Sequence, residues 1–402
     1  MKKGWERKTL GELIQLISGQ HIDSKDYNTD SRGVGYLTGP SDFGPLNPII
    51  TKWSEHPKVK ARKGDILITV KGSGVGKINL LDQKEVAISR QLMAVRVMGA
   101  DPQFVYSFLS SSFDHFQSES TGAAIPEISR EQVLGLQIAV PPLAEQQRIV
   151  GILDEAFAGL ATAKATAEKN LQNARALFES HLQSVFSQGS QSAAEGRGKG
   201  WVETTVGDEV EFAAGFAFKS TQYASDAAKG VRLLRGDNIM QGEFRWESAA
   251  YWPSGDTLAY ERFRLEENDI VLAMDRPWVT AGLKIARVAT EDLPCLQVQR
   301  TARLRVSARL SWRYLFHLLR SQRFVSYLLD GQTGLGVPHI SGKQILAFQF
   351  SRPSLDEQKI IAAKLDALQK ETQRLASLYQ QKLLALEALK KSLLHQAFSG
   401  EL

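Results

Sequence analysis

The chain has 402 residues, of which 43% are hydrophobic and 23% are charged. This is enough for two or three globular domains with real cores, and it excludes a chain that is disordered throughout. A single cysteine excludes an internal disulfide, and the seven scattered histidines form no Cys/His cluster with metal-ligand spacing. The N-terminus has no apolar signal-peptide core, and no apolar run reaches about 18 residues, so we expect a cytoplasmic protein.

The first predicted elements belong to a motif that occurs twice. WERKTLGEL at 5–13 returns as WVETTVGDE at 201–209, which is 196 residues later. KGDILI at 63–68 returns as ENDIVL at 267–272, after 204 residues, and each predicts a turn followed by a short apolar strand. The chain therefore contains two related halves.

Two more pairs of motifs end the repeated unit. TGAAIPEIS at 121–129 matches TGLGVPHIS at 333–341, and PPLAEQ at 141–146 matches PSLDEQ at 353–358. Both pairs are 212 residues apart. Because the separation grows from 196 to 212, the second unit carries additional residues between its shared ends. The interiors of the two halves differ while the flanking motifs agree.

A long helix is predicted after each of the two proline motifs. Apolar residues recur every three or four positions from Ile149 to Val185 and again from Ile361 to Leu393, as they do along a coiled-coil seam. Roughly 40 helical residues span about 60 Å, more than one domain of this size needs. A short polar linker separates the first helix from the second half, so the second helix has to return antiparallel to the first.

These patterns predict an α+β fold in which two β-rich mixed recognition domains lie in tandem. The two long helices form an antiparallel coiled coil between them, with an approximate two-fold axis. The predicted boundaries are a first domain at 1–142, a helix at 143–188, a linker at 189–200, a second domain at 201–354 and a helix at 355–402. Two related domains at a fixed separation suit a long, nearly two-fold symmetric ligand, and double-stranded DNA is the commonest one.

The residues that carry these patterns also carry a family resemblance. The stretch PPLAEQQRIV at 141–150, its partner PSLDEQKII at 353–361, the two TG…IS motifs and the terminal FSGEL resemble the specificity subunits of type I restriction-modification systems. The resemblance covers the whole chain, and the order and duplication of the motifs make it specific.

The resemblance implies a sequence-specific DNA-binding subunit that reads a bipartite, asymmetric target. It implies two methyltransferase (modification) subunits as partners, which transfer a methyl group from S-adenosylmethionine to adenine N6, and motor-nuclease (restriction) subunits that use ATP and magnesium. We expect these cofactors on the partner subunits and none in this chain. The long helices would set the gap between the two half-sites.

The lack of complete catalytic motifs argues against an enzyme in this chain. Amino-methyltransferases carry an Asn/Asp-Pro-Pro-Tyr/Phe loop, and VPPL at 140–143 lacks both its polar and its aromatic residue. The sequence KGSGVGKI at 71–78 lacks the first glycine and the final Ser/Thr of a phosphate-binding loop. We interpret it as a Gly-rich turn between strands, whose lysines either approach DNA phosphates or merely lie on the surface.

Side chains of the variable interiors supply the candidates for DNA contact, because Arg, Lys, Asn, Gln and Ser/Thr match base edges and phosphates. Arg130 and Lys343 follow the shared Ile-Ser turn at similar positions and suggest a phosphate clamp. In each case an ordinary surface residue is the alternative. The candidates in the first domain are Lys71, Ser73, Lys77, Arg90, Gln91, Thr121 and Arg130. Those in the second domain are Arg276, Lys284, Gln297, Gln299, Arg300, Gln332, Thr333, His339 and Lys343.

Two other classes of function remain open at this stage. One is an enzyme with an unrecognised site, and the other is a coiled-coil scaffold without a DNA role. A third possibility within the family is a subunit that serves a fused modification-restriction enzyme or a system without a nuclease. Aromatic residues of the second domain either stack on bases or belong to its core, and the second alternative is commoner. They are Trp246, Tyr251, Trp252 and Trp278.

Overall fold

The computed structural model describes residues 4–120, 125–194, 201–225, 227–280, 282–330 and 339–402, without the side chains of 187–194 and 256. The chain divides into two compact units. Unit 1 comprises Met1–Glu168 together with Gln380–Leu402, and unit 2 comprises Lys169–Tyr379.

Unit 1 is built from short strands, three short helices and parts of two long ones. Its strands are β1 (Glu6–Thr9), β2 (Ile14–Ser18), β3 (Val34–Leu37), β4 (Trp53–Ser54), β5 (Lys60–Arg62), β6 (Ile66–Thr69), β7 (Ile78–Leu80), β8 (Glu85–Ile88), β9 (Leu92–Val97) and β10 (Gln137–Val140). Its helices are α1 (Pro102–Ser111), α2 (Phe113–Glu119), α3 (Arg130–Leu134) and the first part of α4 (Leu143–Ala194).

In unit 1, β2, β9, β6 and β7 form one antiparallel sheet in that order. A second sheet has the order β4, β3, β8, β5, and its β3–β8 pair is parallel. The strands β1 and β10 pair with each other and join the two ends of the domain. The buried β6, of sequence ILIT, lies in the interior, as its continuous apolar run indicates.

Unit 2 repeats this plan with additions. Its strands are β11 (Val202–Thr205), β12 (Val210–Ala214), β13 (Gly230–Leu234), β14 (Ala250–Pro253), β15 (Ile270–Ala273), β16 (Trp278–Val279), β17 (Gly282–Leu283), β18 (Ile285–Arg287), β19 (Cys295–Gln297), β20 (Thr301–Val306) and β21 (Gln349–Arg352). Its helices are α5 (Val206–Glu209), α6 (Trp312–Arg320), α7 (Gln322–Asp330), α8 (Gly342–Leu346) and the first part of α9 (Leu355–Ser399).

The sheets of unit 2 correspond to those of unit 1. The order β12, β20, β15, β18 repeats β2, β9, β6, β7, and the parallel pair β13–β19 repeats β3–β8. The pair β11–β21 repeats β1–β10. A short hairpin of β16 and β17 is an addition, and so is an aromatic cluster that contains Trp252 and Tyr260. The duplicated motifs thus fold into duplicated sheets with different insertions.

Duplicated glycines mark a close approach that both units need. A Cβ on Gly11 would lie 3.3 Å from the Cβ of Leu134, and one on Gly207 would lie 3.3 Å from that of Leu346. Each glycine therefore lets the start of its unit pack tightly on the end of a short helix.

The glutamine of each proline motif has the same structural role in both units. Gln146 accepts a hydrogen bond from the backbone N–H of Asp101 at 2.7 Å and donates to the carbonyl of Pro141 at 2.8 Å. Gln358 accepts from the N–H of Ser311 at 2.7 Å and donates to the carbonyl of Pro353 at 2.9 Å. Both glutamines are buried and satisfy backbone groups at the start of a long helix.

The long helices pack in the core of each unit. In unit 1, α4 and α9 run antiparallel, because Arg148 donates to the carbonyl of Leu402 at 2.9 Å and Lys164 pairs with Glu387 at 2.7 Å. In unit 2, apolar residues of α4 and α9, including Phe178 and Leu365, enter one core cluster. The predicted α+β fold with two β-rich domains and two long helices is confirmed. The three-to-four spacing from Ile361 to Leu393 places Leu389 on the predicted seam, and this is wrong, because Leu389 is 49% exposed.

Within the described ranges, no helix is long and apolar enough to cross a membrane.

Candidate nucleic-acid interface

In unit 1 the main chain of Val70, directly after β6, joins two of the candidate loops. Its N–H donates to the carbonyl of Gln91 at 2.8 Å, and its carbonyl accepts from the N–H of Ile128 at 2.9 Å. The turn after β6, the β8–β9 turn and the segment before α3 therefore meet at one place. These segments are distant in sequence, and backbone hydrogen bonds hold them in register.

The side chains at this meeting point are polar. Lys71 pairs with Glu127 at 2.7 Å, while Ser73 and Lys77 are exposed on the same turn. The turn joins the antiparallel strands β6 and β7, and Gly72 has a φ of 97°. The predicted Gly-rich turn between strands is thus confirmed. A strand follows it, whereas a phosphate-binding loop would lead into a helix.

The β8–β9 turn presents Arg90 and Gln91 to solvent. A Cβ built on Gly39 would lie only 2.2 Å from Oε1 of Gln91, so the glutamine side chain rests directly over that glycine. Among the described residues, the Gln91 amide makes no hydrogen bond with another side chain. Its donor and acceptor are therefore available to a ligand.

Unit 2 joins the corresponding loops through Met274, directly after β15. Its N–H donates to the carbonyl of Arg300 at 2.8 Å, and its carbonyl accepts from the N–H of Ile340 at 2.8 Å. Asp275 and His339 form a β-bridge in the place of the bridge between Lys71 and Glu127. The two units therefore build the same constellation of loops.

A cavity of about 600 Å³ opens among these loops in unit 2. Four of the candidate residues meet there with two carboxylates that no sequence pattern singles out. The lining side chains are Asp237, Asp275, Arg276, Lys284, Arg300 and His339.

The cations of this cavity are only partly compensated. Asp275 accepts from Nδ1 of His339 at 2.5 Å and lies 3.4 Å from Nη1 of Arg300. Burial lowers the pKa of Lys284, against a smaller raising effect from Asp237. Because two arginines and a lysine face so few carboxylates, the cavity suits an electron-rich polar ligand.

Two residues with a strained backbone line the same cavity. Arg276 has a φ of 46° and Arg300 a φ of 67°, both in the left-handed region that residues with a Cβ rarely adopt. Arg276 occupies the position that Gly72 fills in unit 1, 204 residues earlier. Strained residues that cluster in a cavity indicate a functional site, because the surrounding structure has to hold them in place.

Other candidates lie away from these loops or support them. Gln297 is fully buried, and its amide donates to the carbonyls of Ala213 and Thr301, so it stabilises the sheet. Gln299 is exposed next to Arg300. Thr121, Gln332 and Thr333 lie outside the described residues.

Arg130 and Lys343 do not occupy equivalent positions, contrary to the expectation from sequence. Ser129 caps α3 and Ser341 caps α8, so Arg130 is the first residue of its helix and Lys343 the second of its own. The guanidinium of Arg130 donates to Ser18 Oγ at 2.8 Å and ties α3 to β2, whereas Lys343 is exposed. Adjacent helical positions point about 100° apart, so the two side chains cannot form matching clamps.

The aromatic candidates of unit 2 lie mainly in its cores. Trp252 is buried with Phe218, Trp246 packs in a second cluster and donates to Asp292 at 2.9 Å, and Trp278 packs in a third. The interpretation as a core residue is confirmed for Trp252, whereas Trp246 and Trp278 are partly buried and pack against the core. No group of three or more residues suited to hold a metal ion occurs in the described parts of the chain.

The fold and these loops define a protein with two related recognition domains, each presenting polar, mostly basic side chains on rigid turns. The sequence pattern of the type I restriction modification DNA specificity domain matches residues 2–172 and 198–383. The chain belongs to this family and carries two copies of the domain. Its function is sequence-specific DNA recognition, and a scaffold without a DNA role is not favoured.

Individual relatives agree with this assignment. The MjaVIII specificity subunit of Methanocaldococcus jannaschii is 24% identical, over 99% of this chain and 93% of its own length. The EcoAI specificity subunit of Escherichia coli is 37% identical over 42% of this chain and 28% of its own length.

Solved structures share the fold. A chain from a type I R-M system has a TM-score of 0.77 and 19% identity, covering 100% of this chain and 99% of its own. The HsdS subunit from Thermoanaerobacter tengcongensis has a TM-score of 0.64 and 18% identity, covering 100% of this chain and 98% of its own.

Proposed function

We propose that this chain reads a bipartite, asymmetric DNA target and positions an adenine-N6 methyltransferase on it. One observation carries the proposal: the same loops are assembled twice, around Val70 and around Met274, with different side chains. Equal frames with unequal side chains suit two unlike half-sites of one target.

The catalytic steps belong to partner subunits in this proposal. The groups gathered in the unit 2 cavity are cations and ion-paired carboxylates, which bind anionic or electron-rich ligands. S-adenosylmethionine, ATP and magnesium are then bound by the modification and restriction subunits, in the cytoplasm. If the purified chain alone transferred methyl groups or hydrolysed ATP, this division of labour would be refuted.

Exposed apolar residues on the long helices support protein partners. On the part of α9 within unit 1, Leu384 is 73% exposed and Leu389 is 49% exposed. Leucines on a helix surface are suited to burial against another subunit. We propose that two modification subunits bind the helices, and that restriction subunits join this complex.

Single-molecule methylation sequencing tests the proposal. DNA is taken from cells that express this chain with the methyltransferase encoded beside it, and from cells that express the methyltransferase alone. We expect a split, asymmetric N6-methyladenine motif only when both proteins are present. A stable complex with an active methyltransferase but no such motif would contradict the proposal.

The helices give a second test through the gap between half-sites. Removing matched heptads from α4 and α9 preserves their seam, because the seam repeats every seven residues. We expect the preferred gap to change while both half-sites keep their bases. Altered half-sites at an unchanged gap would contradict the role of the helices as a spacer.

A further inference from the structure

We propose that Gln91 and Arg300 are base-reading residues, with Gln91 selecting an adenine in one half-site and Arg300 a guanine in the other. This inference rests on the proposed function and names the chemistry of the same site. It begins from the position that the two residues share in their units.

Gln91 and Arg300 are equivalent by their backbone contacts. Each is the second residue of a turn, and β9 or β20 follows it directly. Each carbonyl accepts a hydrogen bond of 2.8 Å, from the N–H of Val70 in unit 1 and of Met274 in unit 2. The backbone is thus fixed while both side chains are exposed, as a base-reading residue requires.

The two side chains select different bases. The glutamine amide carries a donor and an acceptor side by side, which match N7 and N6–H₂ of adenine in the major groove. The arginine guanidinium offers two parallel donors, which match O6 and N7 of guanine. Residues at equivalent positions therefore give the two units different preferences.

Each side chain is oriented by a different neighbour. Asp275 lies 3.4 Å from Nη1 of Arg300 and is itself fixed by His339, so the carboxylate orients the guanidinium while other N–H groups stay available. Gln91 lies over Gly39, where a Cβ would stand 2.2 Å from its Oε1. These supports reduce the entropy that each side chain loses on binding DNA.

The adjacent residues in the turns, Arg90 and Gln299, are also exposed, and they carry the same two residue types in the opposite order. Neither makes a side-chain hydrogen bond or ion pair with a described residue. Because an ion pair with Asp275 holds Arg300 and the close approach to Gly39 holds Gln91, we assign the base contacts to Gln91 and Arg300.

Reciprocal substitution tests the assignment. Q91R and R300Q are each expressed as the full chain with the methyltransferase, and the methylated motif is sequenced. For R300Q we expect the preference for guanine at one position of one half-site to fall by about 5- to 150-fold, the range for one lost bidentate contact. For Q91R we expect one adenine position of the other half-site to change by a similar factor.

Surface substitutions of the same type serve as controls. Q103R on α1 and R245Q in unit 2 change exposed side chains outside these turns and should leave the motif unchanged. If the wild-type protein gives a split motif and the two reciprocal variants give that same motif, the assignment is refuted and the proposed function stands. If the wild-type complex gives no split motif, the proposed function itself has failed.

A pair of glycine variants tests the orientation of Gln91 without changing Gln91 itself. G39A places a methyl group against Gln91 Oε1, whereas a Cβ on Gly255, an exposed glycine of unit 2 outside the cavity, would meet no atom within 4 Å. We expect G39A to weaken the adenine preference and G255A to have no effect on either half-site. If both variants give the same methylated motif, Gly39 does not orient Gln91.

If R300Q abolishes all methylation, R300K distinguishes a lost base contact from a misfolded complex. Thermal unfolding is recorded for each complex. Lysine keeps the positive charge but lacks the paired donors. A folded R300K complex with relaxed choice at the guanine position supports the assignment. A folded R300K complex with full guanine preference overturns it.

Discussion

The loops around β6 in unit 1 and around β15 in unit 2 share the backbone hydrogen bonds made by Val70 and Met274 and differ in their side chains. In unit 1, a basic Lys71 pairs with an acidic Glu127. In unit 2, the acidic residue is Asp275, in the place of Lys71, and it accepts a hydrogen bond from His339 Nδ1. A polar pair is kept at this place, while the acidic residue changes position.

Exposure differs between the two units as well. Lys77 and Lys284 both follow the turn and both donate their backbone N–H to that turn, to Gly74 and Pro277 respectively. Lys77 is exposed, whereas Lys284 is 9% exposed and lines the cavity. The comparison shows that hydrogen bonds of the main chain set the positions of these loops, which leaves their side chains to vary with the ligand.

The largest expected effect concerns the part that the two units share. Asp65 accepts two hydrogen bonds from Arg96, and Asp269 accepts two from Arg305, each at 2.8–3.0 Å. Both aspartates are buried, so D65A removes the carboxylate that Arg96 binds, and D269A leaves Arg305 with only the exposed Glu266. We expect each to lower the free energy of unfolding by about 3 kcal/mol, measured by urea denaturation.

The control for this pair is E243A, which breaks an ion pair between two exposed side chains. E243A should lower the free energy of unfolding by less than about 1 kcal/mol. A large loss from D269A with none from D65A would show that the two units do not rely on a common frame.

A smaller effect distinguishes Gly72 from Arg276. G72A should lower the free energy of unfolding by about 1–2 kcal/mol, because its φ of 97° disfavours a Cβ although the space around it is open. R276G relieves such strain, but glycine also raises the conformational entropy of the unfolded chain. Its net effect on the free energy of unfolding should therefore stay below about 1 kcal/mol. We expect R276G instead to weaken binding of target DNA.

Thermal unfolding and DNA titration measure the two effects separately. G255A, at an open glycine without a positive φ, is the control for G72A. An R276G protein that binds its target as tightly as wild type would show that the strained arginine has no part in recognition.

The salt dependence and the sequence dependence of DNA binding distinguish the roles of Lys77 and Lys284. K77Q should reduce the slope of log affinity against log salt concentration by about 0.9, the value for one lost phosphate contact. K63Q, at the opposite end of β6, is the control and should leave the slope unchanged.

We expect K284Q to lower the affinity for the target sequence more than the affinity for random DNA, because Lys284 lies inside the cavity. Equal effects on both DNAs would contradict this.

The smallest expected effect is a pH dependence confined to unit 2. His317 is buried on α6, bonded through Nε2 to Asp366 of α9 at 2.7 Å and flanked by Arg313 and Arg320. Burial lowers its pKa below the ordinary 6.5, and the hydrogen bond to Asp366 opposes this only partly. The unfolded chain therefore binds more protons, and stability falls as the pH drops below about 6.5.

Unfolding midpoints recorded between pH 7.5 and pH 5 measure this loss. H317Q should flatten the profile, whereas H181Q, at an exposed histidine of α4, should leave it unchanged. An identical profile for H317Q and wild type would exclude His317 as the cause.

Much of the fold follows from local pattern. The apolar run of β6 predicted a buried strand, and the three-to-four spacing after each proline motif predicted the long helices. The motif residues owe their duplication to structural roles, as Gln146 and Gln358 demonstrate. Repeated sequence therefore indicated repeated architecture.

The candidate site was predictable by residue type but not by arrangement. The turns that carry Lys71 and Arg276 were found because their sequences are rich in turn-forming and basic residues. Asp237 and Asp275 were missed, since nothing local distinguishes an acidic residue that faces a cavity from one that faces solvent. Gln297 has the right chemistry for a base contact, yet it is buried in the sheet.

The sequence by itself determined the duplication, the strand and helix content and the family, because these depend on neighbours along the chain. The tertiary structure alone decided which candidates meet: hydrogen bonds from Val70 and Met274 bring together loops that lie tens of residues apart. It also decided the partners of Arg300 and Gln91. Such contacts depend on the packing of whole sheets, which no local pattern encodes.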